Sequence, residues 1–248
     1  MTHKTKGIVL RSIKYGETSL VVTIFTELFG AQTYMVNGAR TAKKGNAKAS
    51  LYQPSSILDL EVYHNELKGM QRIKEANRAI IYQDNLSDVL KNSIALYMVE
   101  LLQKTLKQPE ANADLFYFCE DALVQLDQSG SAVAANFPLF FSLHLAQFFG
   151  FRLSNIESAM HDSEQIYIDL AEGYFTTSHP GHPYFLEGEN ALLTMELLNI
   201  MQPEELSQLK LNQQKRRELL AKYQEFYVLH IPDFGQMKTL PILHEVLG

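Results

Sequence analysis

The chain has 248 residues, a single cysteine, and 22 basic against 28 acidic side chains, for a formal charge of −6. One thiol excludes an internal disulfide framework and any cysteine-rich zinc or iron–sulfur site. With 46% apolar and 20% charged residues the composition is globular, and no run approaches the ~18 uncharged apolar residues of a transmembrane helix.

The N-terminal MTHKTKGIVLRSIKYGET has basic residues but no apolar stretch and no small-residue cleavage site. It does not read as a signal peptide, and the expected compartment is the cytoplasm, with no membrane partner. Residues 7–13 are β-rich, and the Tyr15-Gly16-Glu17-Thr18 turn leads into a mostly apolar run, 19–25. A third strand is expected over 32–37. The loop that follows carries Arg40, Lys43, Lys44 and Lys48 among small residues and no acid. Residues 57–63 alternate, with Leu58, Leu60 and Val62 inward and Asp59, Glu61 and Tyr63 outward. A fifth strand is expected over 70–76. Five short strands in so short a segment point to a small closed barrel, which buries them without long free edges. An OB-like barrel fits, an SH3-like barrel fits nearly as well, and periodicity does not choose.

From about residue 85 the period becomes helical, with Pro109 ending the first run. Residues 114–127 continue with Cys119 on the apolar face, where it reads as a small buried hydrophobe. Residues 137–149 are apolar nearly all round and predict a central helix; His144 within it reads as a core histidine. Residues 166–186 suggest an aromatic hairpin, and further helices are expected over 189–201, 212–230 and 236–247. The architecture predicted is α+β in two domains: a five-stranded barrel over 1–80, then an all-helical domain over 81–248 with an inserted β-hairpin.

Charge follows the same division. Residues 1–80 hold twelve Lys+Arg and six Asp+Glu, a net +6; residues 81–248 hold ten and twenty-two, a net −12. A basic surface attracts a polyanion even on an acidic protein, because salt screens distant charge beyond ~8–10 Å. No phosphate-cradling loop, nucleophile elbow or H-E-x-x-H motif occurs. His161, Asp162, His179 and His182 form the one cluster to weigh as a metal site, although their spacing matches no common zinc pattern. A solvated turn is the competing reading. Lys215-Arg216-Arg217 is a second basic cluster, read either as a solvated helix face or as a receiver of an acidic peptide.

Gly7-Ile8-Val9-Leu10-Arg11, Tyr15-Gly16-Glu17-Thr18-Ser19, Thr23-Ile24-Phe25-Thr26, Gly30 and Asn37-Gly38-Ala39-Arg40 resemble, in order and spacing, the opening of the RecO family of bacterial recombination mediators. Tyr52-Gln53-Pro54 and the strand after it continue the match; beyond residue 65 it is weaker but spans the chain, including Met237-Lys238-Thr239-Leu240. The resemblance implies an N-terminal OB-fold and a helical C-terminal domain. It implies binding of single- and double-stranded DNA, strand annealing, and partnership with RecR and with the C-terminal tail of single-stranded-DNA-binding protein in loading RecA. It implies work on the bacterial nucleoid, and no catalytic site. Many members carry a four-cysteine zinc site in the helical half. Here residues 155–190 hold no cysteine, and Tyr167, Tyr174, Phe175, Tyr184 and Phe185 stand there instead. The expectation is a protein without cofactor, its hairpin held by aromatic packing.

An OB barrel binds a strand through a charged groove and aromatic stacking. The candidate DNA contacts are Arg40, Lys43, Lys44 and Lys48 in the loop, Arg11 and Lys14 on the first strand, and Arg72 and Lys74 on the fifth. Tyr15 and Tyr34 are stacking candidates, with barrel packing the competing role, more so for Tyr34. Arg152 or the Lys215–Arg217 cluster is the candidate cation for an acidic protein tail. Two other readings stand beside this one: a helical adaptor whose barrel binds RNA or protein, and a metal-dependent enzyme using the His/Asp cluster.

Overall fold

The computed structural model describes residues 1–40, 47–154 and 165–247, with only the backbone of Ala47 and Lys48. The chain forms two compact units. Residues 1–88 and 102–127 make the first, and residues 89–101 and 128–248 the second.

In the first unit, β1 (Thr2–Tyr15), β2 (Ser19–Thr26), β3 (Gly30–Val36), β4 (Ile57–Tyr63) and β5 (Gln71–Arg78) close into a barrel of order β1-β2-β3-β5-β4. This five-stranded closure is that of an OB-type barrel, which decides against the SH3-like alternative. Strand β1 is twice the length expected from residues 7–13 because it serves two neighbours, pairing β4 over Thr2–Ile8 and β2 over Gly7–Tyr15. A bulge between Val9 and Arg11 turns it from one to the other. Gly7 sits where the strands cross. A Cβ there would lie 2.5 Å from the Ile24 side chain and 2.8 Å from that of Leu60, both core residues. The interior is filled by Val9, Val22, Ile24, Tyr34, Leu58, Leu60 and Val62, all nearly inaccessible. The alternation of β4 places Leu58, Leu60 and Val62 inward, as their spacing predicts. A short helix, α1 (Ala47–Leu51), packs on β5.

The first unit reaches beyond residue 80. Helix α3 (Ala113–Gln128) belongs with the barrel: Phe116 packs on Phe25 at 5.7 Å, and Lys6 pairs with Glu120 at 2.9 Å. The Asp127 carboxylate accepts backbone N–H groups from Gln83, Asp84 and Asn85 at 2.7–2.9 Å. Apolar periodicity identifies this helix but not its packing partner, which in the first unit is the barrel.

The second unit is built on α4 (Ser131–Ala146), eleven of whose sixteen residues are buried. Contrary to the expectation that no run reaches such a length, Ser131–Phe149, with the short turn after the helix, is long and apolar enough to cross a membrane, although most of it is buried inside the protein. Its all-round apolarity is that of a helix covered on every side. Tyr97 of α2 (Val89–Thr105) bonds Ser142 at 2.8 Å, and the Tyr227 hydroxyl of α6 (Gln213–His230) donates to the Ser142 carbonyl at 2.8 Å. Helix α5 (Gly188–Asn199) is tied to α6 through Thr194 and Tyr223. The Glu100 carboxylate accepts the backbone N–H groups of Lys238 and Thr239 at the start of α7 (Thr239–Val246). The expected hairpin is a three-stranded sheet, with β6 (Tyr167–Asp169) between β7 (Tyr174–Thr176) and β8 (Phe185–Glu187).

Candidate nucleic-acid interface

Strand pairing brings outward side chains of the barrel into rows. Ile13 of β1 lies opposite Val21 of β2, which lies opposite Met35 of β3, then Arg72 of β5, then Tyr63 of β4. Residues paired across strands share a face, and their neighbours Leu20, Val22, Tyr34, Gln71 and Val62 are buried, so this row faces solvent. One row along, Arg11 lies opposite Thr23, itself opposite Thr33. In the other direction Tyr15 pairs with Ser19, whose hydroxyl bonds the Asn37 side chain. Arg40 joins this end: its backbone N–H donates to the Thr18 carbonyl at 2.9 Å and its guanidinium to the Gly16 carbonyl at 3.5 Å. The result is one outer face bounded by the β1–β2 turn and the β4–β5 loop, the two loops that flank the oligonucleotide surface of OB barrels.

The barrel's cations fall into two groups. On the side where β1 pairs with β4, Lys4 lies opposite Glu61 and Lys6 opposite Asp59. The hydrogen bond to Glu120 holds the Lys6 ammonium above its ordinary 10.5. Lys74 pairs with Glu61 at 2.8 Å, which lowers that carboxyl from its usual range. Among the described residues Arg11, Lys14, Lys68 and Arg72 make no ion pair, and all four are exposed. Arg11 and Arg72 lie on the outer face. Lys14 shares the register of buried Leu20 and sits at its rim.

Several expected contacts change role. Tyr34 is 0% exposed, its ring opposite Val22 and inside the barrel, and burial drives its phenol well above the ordinary 10. It packs the core and offers no stacking surface. Tyr15 is 58% exposed at the edge of the outer face and keeps that surface. Lys74 is on the expected strand, but its charge is engaged by Glu61. Lys43 and Lys44 lie outside the described residues, as does the side chain of Lys48. Sequence reasoning passed over Tyr63, 48% exposed, and Lys68. The outward parity of Tyr63 on an alternating strand is the signal that identifies it.

In the second unit the proposed metal cluster does not assemble from its described members. His182 donates from Nε2 to Asp169 at 3.1 Å and accepts the Tyr184 N–H at Nδ1, so both ring nitrogens are engaged. His179 packs edge-on against Phe185 at 4.7 Å and Tyr167 at 5.3 Å. His161 and Asp162 lie outside the described residues. No group of three or more His, Cys, Asp or Glu side chains able to hold a metal occurs among the described residues, and burial pushes the lone Cys119 thiol far up. A zinc site of four cysteines has no donors here. The basic triplet also disperses: Lys215 pairs with Glu189 at 2.8 Å and Glu218 at 3.4 Å, Arg216 donates to the Leu211 carbonyl, and Arg217 to the His244 carbonyl. Of the candidate tail-binding cations, Arg152 alone has an exposed side chain with no such engagement among the described residues.

Residues 1–80 match the family model described as "Recombination protein O N terminal", and residues 86–239 the one described as "Recombination protein O C terminal". Full-length relatives carry the name "DNA repair protein RecO". The chain is 30% identical over 246 residues to that of Azobacteroides pseudotrichonymphae, covering 99% of each. It is 31% identical over 248 residues to that of Flavobacterium johnsoniae, covering all of both chains, and 31% over 247 residues to that of Bacteroides fragilis, covering 99% of each.

Proposed function

The chain belongs to the recombination protein O family, and on that premise we propose that it is a DNA repair and recombination mediator that works without a catalytic step. It binds single- and double-stranded DNA, anneals complementary strands, and assists RecA loading with RecR on strands coated by single-stranded-DNA-binding protein. This is work of the bacterial cytoplasm, on the nucleoid. The observation that carries the reading is the outer barrel face, where Arg11, Arg40 and Arg72 stand beside Tyr15 and Tyr63 between the two loops that flank OB binding surfaces.

The mode of binding is charge neutralisation with stacking, which is tolerant of sequence. The loop over residues 40–48 adds basic residues without an acid, so reversing Lys43 and Lys44 to Glu weakens binding of every oligonucleotide to a similar degree. The acidic tail of the single-strand-binding protein meets the second unit at Arg152. The β6–β8 sheet works without a cofactor, held by its own rings.

The test is annealing of complementary oligonucleotides followed by fluorescence quenching. The expected result is acceleration by the protein that fades as salt rises and needs no nucleotide triphosphate. A rate equal to that of the free strands at every salt concentration would overturn the reading.

A further inference from the structure

Strands β3 and β5 pair over only two positions, Tyr34 with Gln71 and Met35 with Arg72. Beside this short seam the β4–β5 loop overhangs a cavity of about 570 Å³. That size is within the roughly 300–1,000 Å³ of small-molecule sites. Its walls combine the Tyr63 ring and the Met35 and Met70 side chains with Lys68 and Arg72, and they contain no acid. The neighbouring hollows differ in charge. The one beyond Lys68 includes Glu66, the one beyond Arg72 includes Glu75, and the one around Lys4 and Lys6 has Asp59, Glu61 and Glu75. Of these four hollows, this is the one that sets positive charge beside an exposed aromatic ring with no acid in its walls.

The site is built before any ligand arrives. The Gln71 side chain, 4% exposed, accepts the Asn65 N–H at 2.9 Å and donates to the Asn65 and Lys68 carbonyls at 2.8 and 2.7 Å. This fixes the loop that carries Lys68 and Met70. His64 at its base stacks on Phe29 at 3.9 Å. A fixed wall removes part of the ordering cost of binding. The cavity also adjoins two others, sharing Lys68 on one side and Met35 and Arg72 on the other. A polymer can continue out of it in both directions.

We propose that this cavity seats one unpaired base of single-stranded DNA, stacked on Tyr63 against Met70, with Arg72 and Lys68 on the flanking phosphates. The proposal rests on the DNA-binding reading above and makes it specific. A flat ring and a negative backbone are what an exposed tyrosine and two unpaired cations recognise together. A duplex cannot offer its bases to the ring, so Tyr63 separates single from double strands, while Arg72 serves both.

The test uses the full chain and a fluorescent oligothymidine, with binding read by anisotropy. Tyr63→Ala weakens single-strand binding at least about fivefold and Tyr63→Phe restores it, since stacking of a base contributes at least ~1 kcal/mol. Tyr63→Ala leaves the salt slope unchanged and weakens single-strand binding more than duplex binding, whereas Arg72→Ala lowers the slope by roughly 0.7. Independently of any variant, photocrosslinking of a 5-iodouracil oligonucleotide to the unaltered protein places the adduct on the peptide holding Tyr63 and Met70. Full affinity in Tyr63→Ala, or an adduct mapped elsewhere, overturns the proposal while leaving DNA binding intact. Failure of the unaltered protein to bind any oligonucleotide overturns both.

Discussion

Gly30 turns the chain between β2 and β3 at φ 63°, and a Cβ there would lie 2.2 Å from the Glu110 carbonyl oxygen. Both backbone conformation and space exclude a side chain, so Gly30→Ala costs at least about 2 kcal/mol by urea denaturation. Asp127 acts in the opposite sense, by what it supplies. Three backbone N–H groups point at one carboxylate, and Asp127→Ala strips their acceptor, for a loss of about 3 kcal/mol in the same measurement. Neither role is written in the local sequence, because each partner lies distant along the chain. Tyr34 and Tyr63 show where single-residue reading succeeds and where it stops. In ILDLEVY the alternation is clean, so the outward parity of Tyr63 is legible. In QTYMVN it is not, and the inward placement of Tyr34 depends on its pairing with Val22. The loss of Lys74 to Glu61 could not be read either, since a register shift between Glu61 and Val62 sets that contact.

At the scale of elements, the five strands and the main helices are legible because each has a period and a punctuating turn. The β6–β8 sheet is only half legible. Its aromatic strands suggest a hairpin, but β6 takes the middle place by pairing with β8, which follows a Ser-His-Pro-Gly-His-Pro loop. Rings and the His182–Asp169 contact hold it together. Phe185→Ala is therefore expected to destabilise the protein by about 2 kcal/mol. Chelation should leave the melting temperature unchanged; stoichiometric zinc in the purified protein would contradict this. Helices α4 and α7 carry a pH signature. Burial holds His144 below its ordinary 6.5, against the opposing pull of the Leu197 carbonyl, and burial with Arg217 does the same to His244. An imidazole with a lowered folded value stabilises fully above 6.5 and loses that contribution as pH falls through its folded value. Unfolding free energy should thus decline below pH 6.5, each histidine adding a slope of at most about 1.4 kcal/mol per pH unit. His144→Gln should flatten the curve over that window, and an unchanged curve would refute the assignment.

For the whole molecule, the division of charge is less simple than the order of the chain suggests. The first 80 residues carry a net +6, but the first unit, with residues 81–88 and 102–127, holds fourteen basic and thirteen acidic side chains, a net +1; the second unit is then −7. Acids on α3 and β4 neutralise one side of the barrel through Lys6 and Lys4. Arg11, Lys14, Lys68 and Arg72, which make no ion pair among the described residues, lie on or beside the outer face. DNA affinity should then follow a few arginines rather than the net charge of a domain. The most direct measurement is the salt dependence of oligothymidine binding for Arg11→Glu with Arg72→Glu, beside a control reversal of Lys6 and Lys4. The account predicts that the first pair weakens binding steeply and lowers the logarithmic slope by roughly 1.4, two phosphates at ~0.7 each, while the control changes it little. Equal losses in both, or none in either, would contradict it.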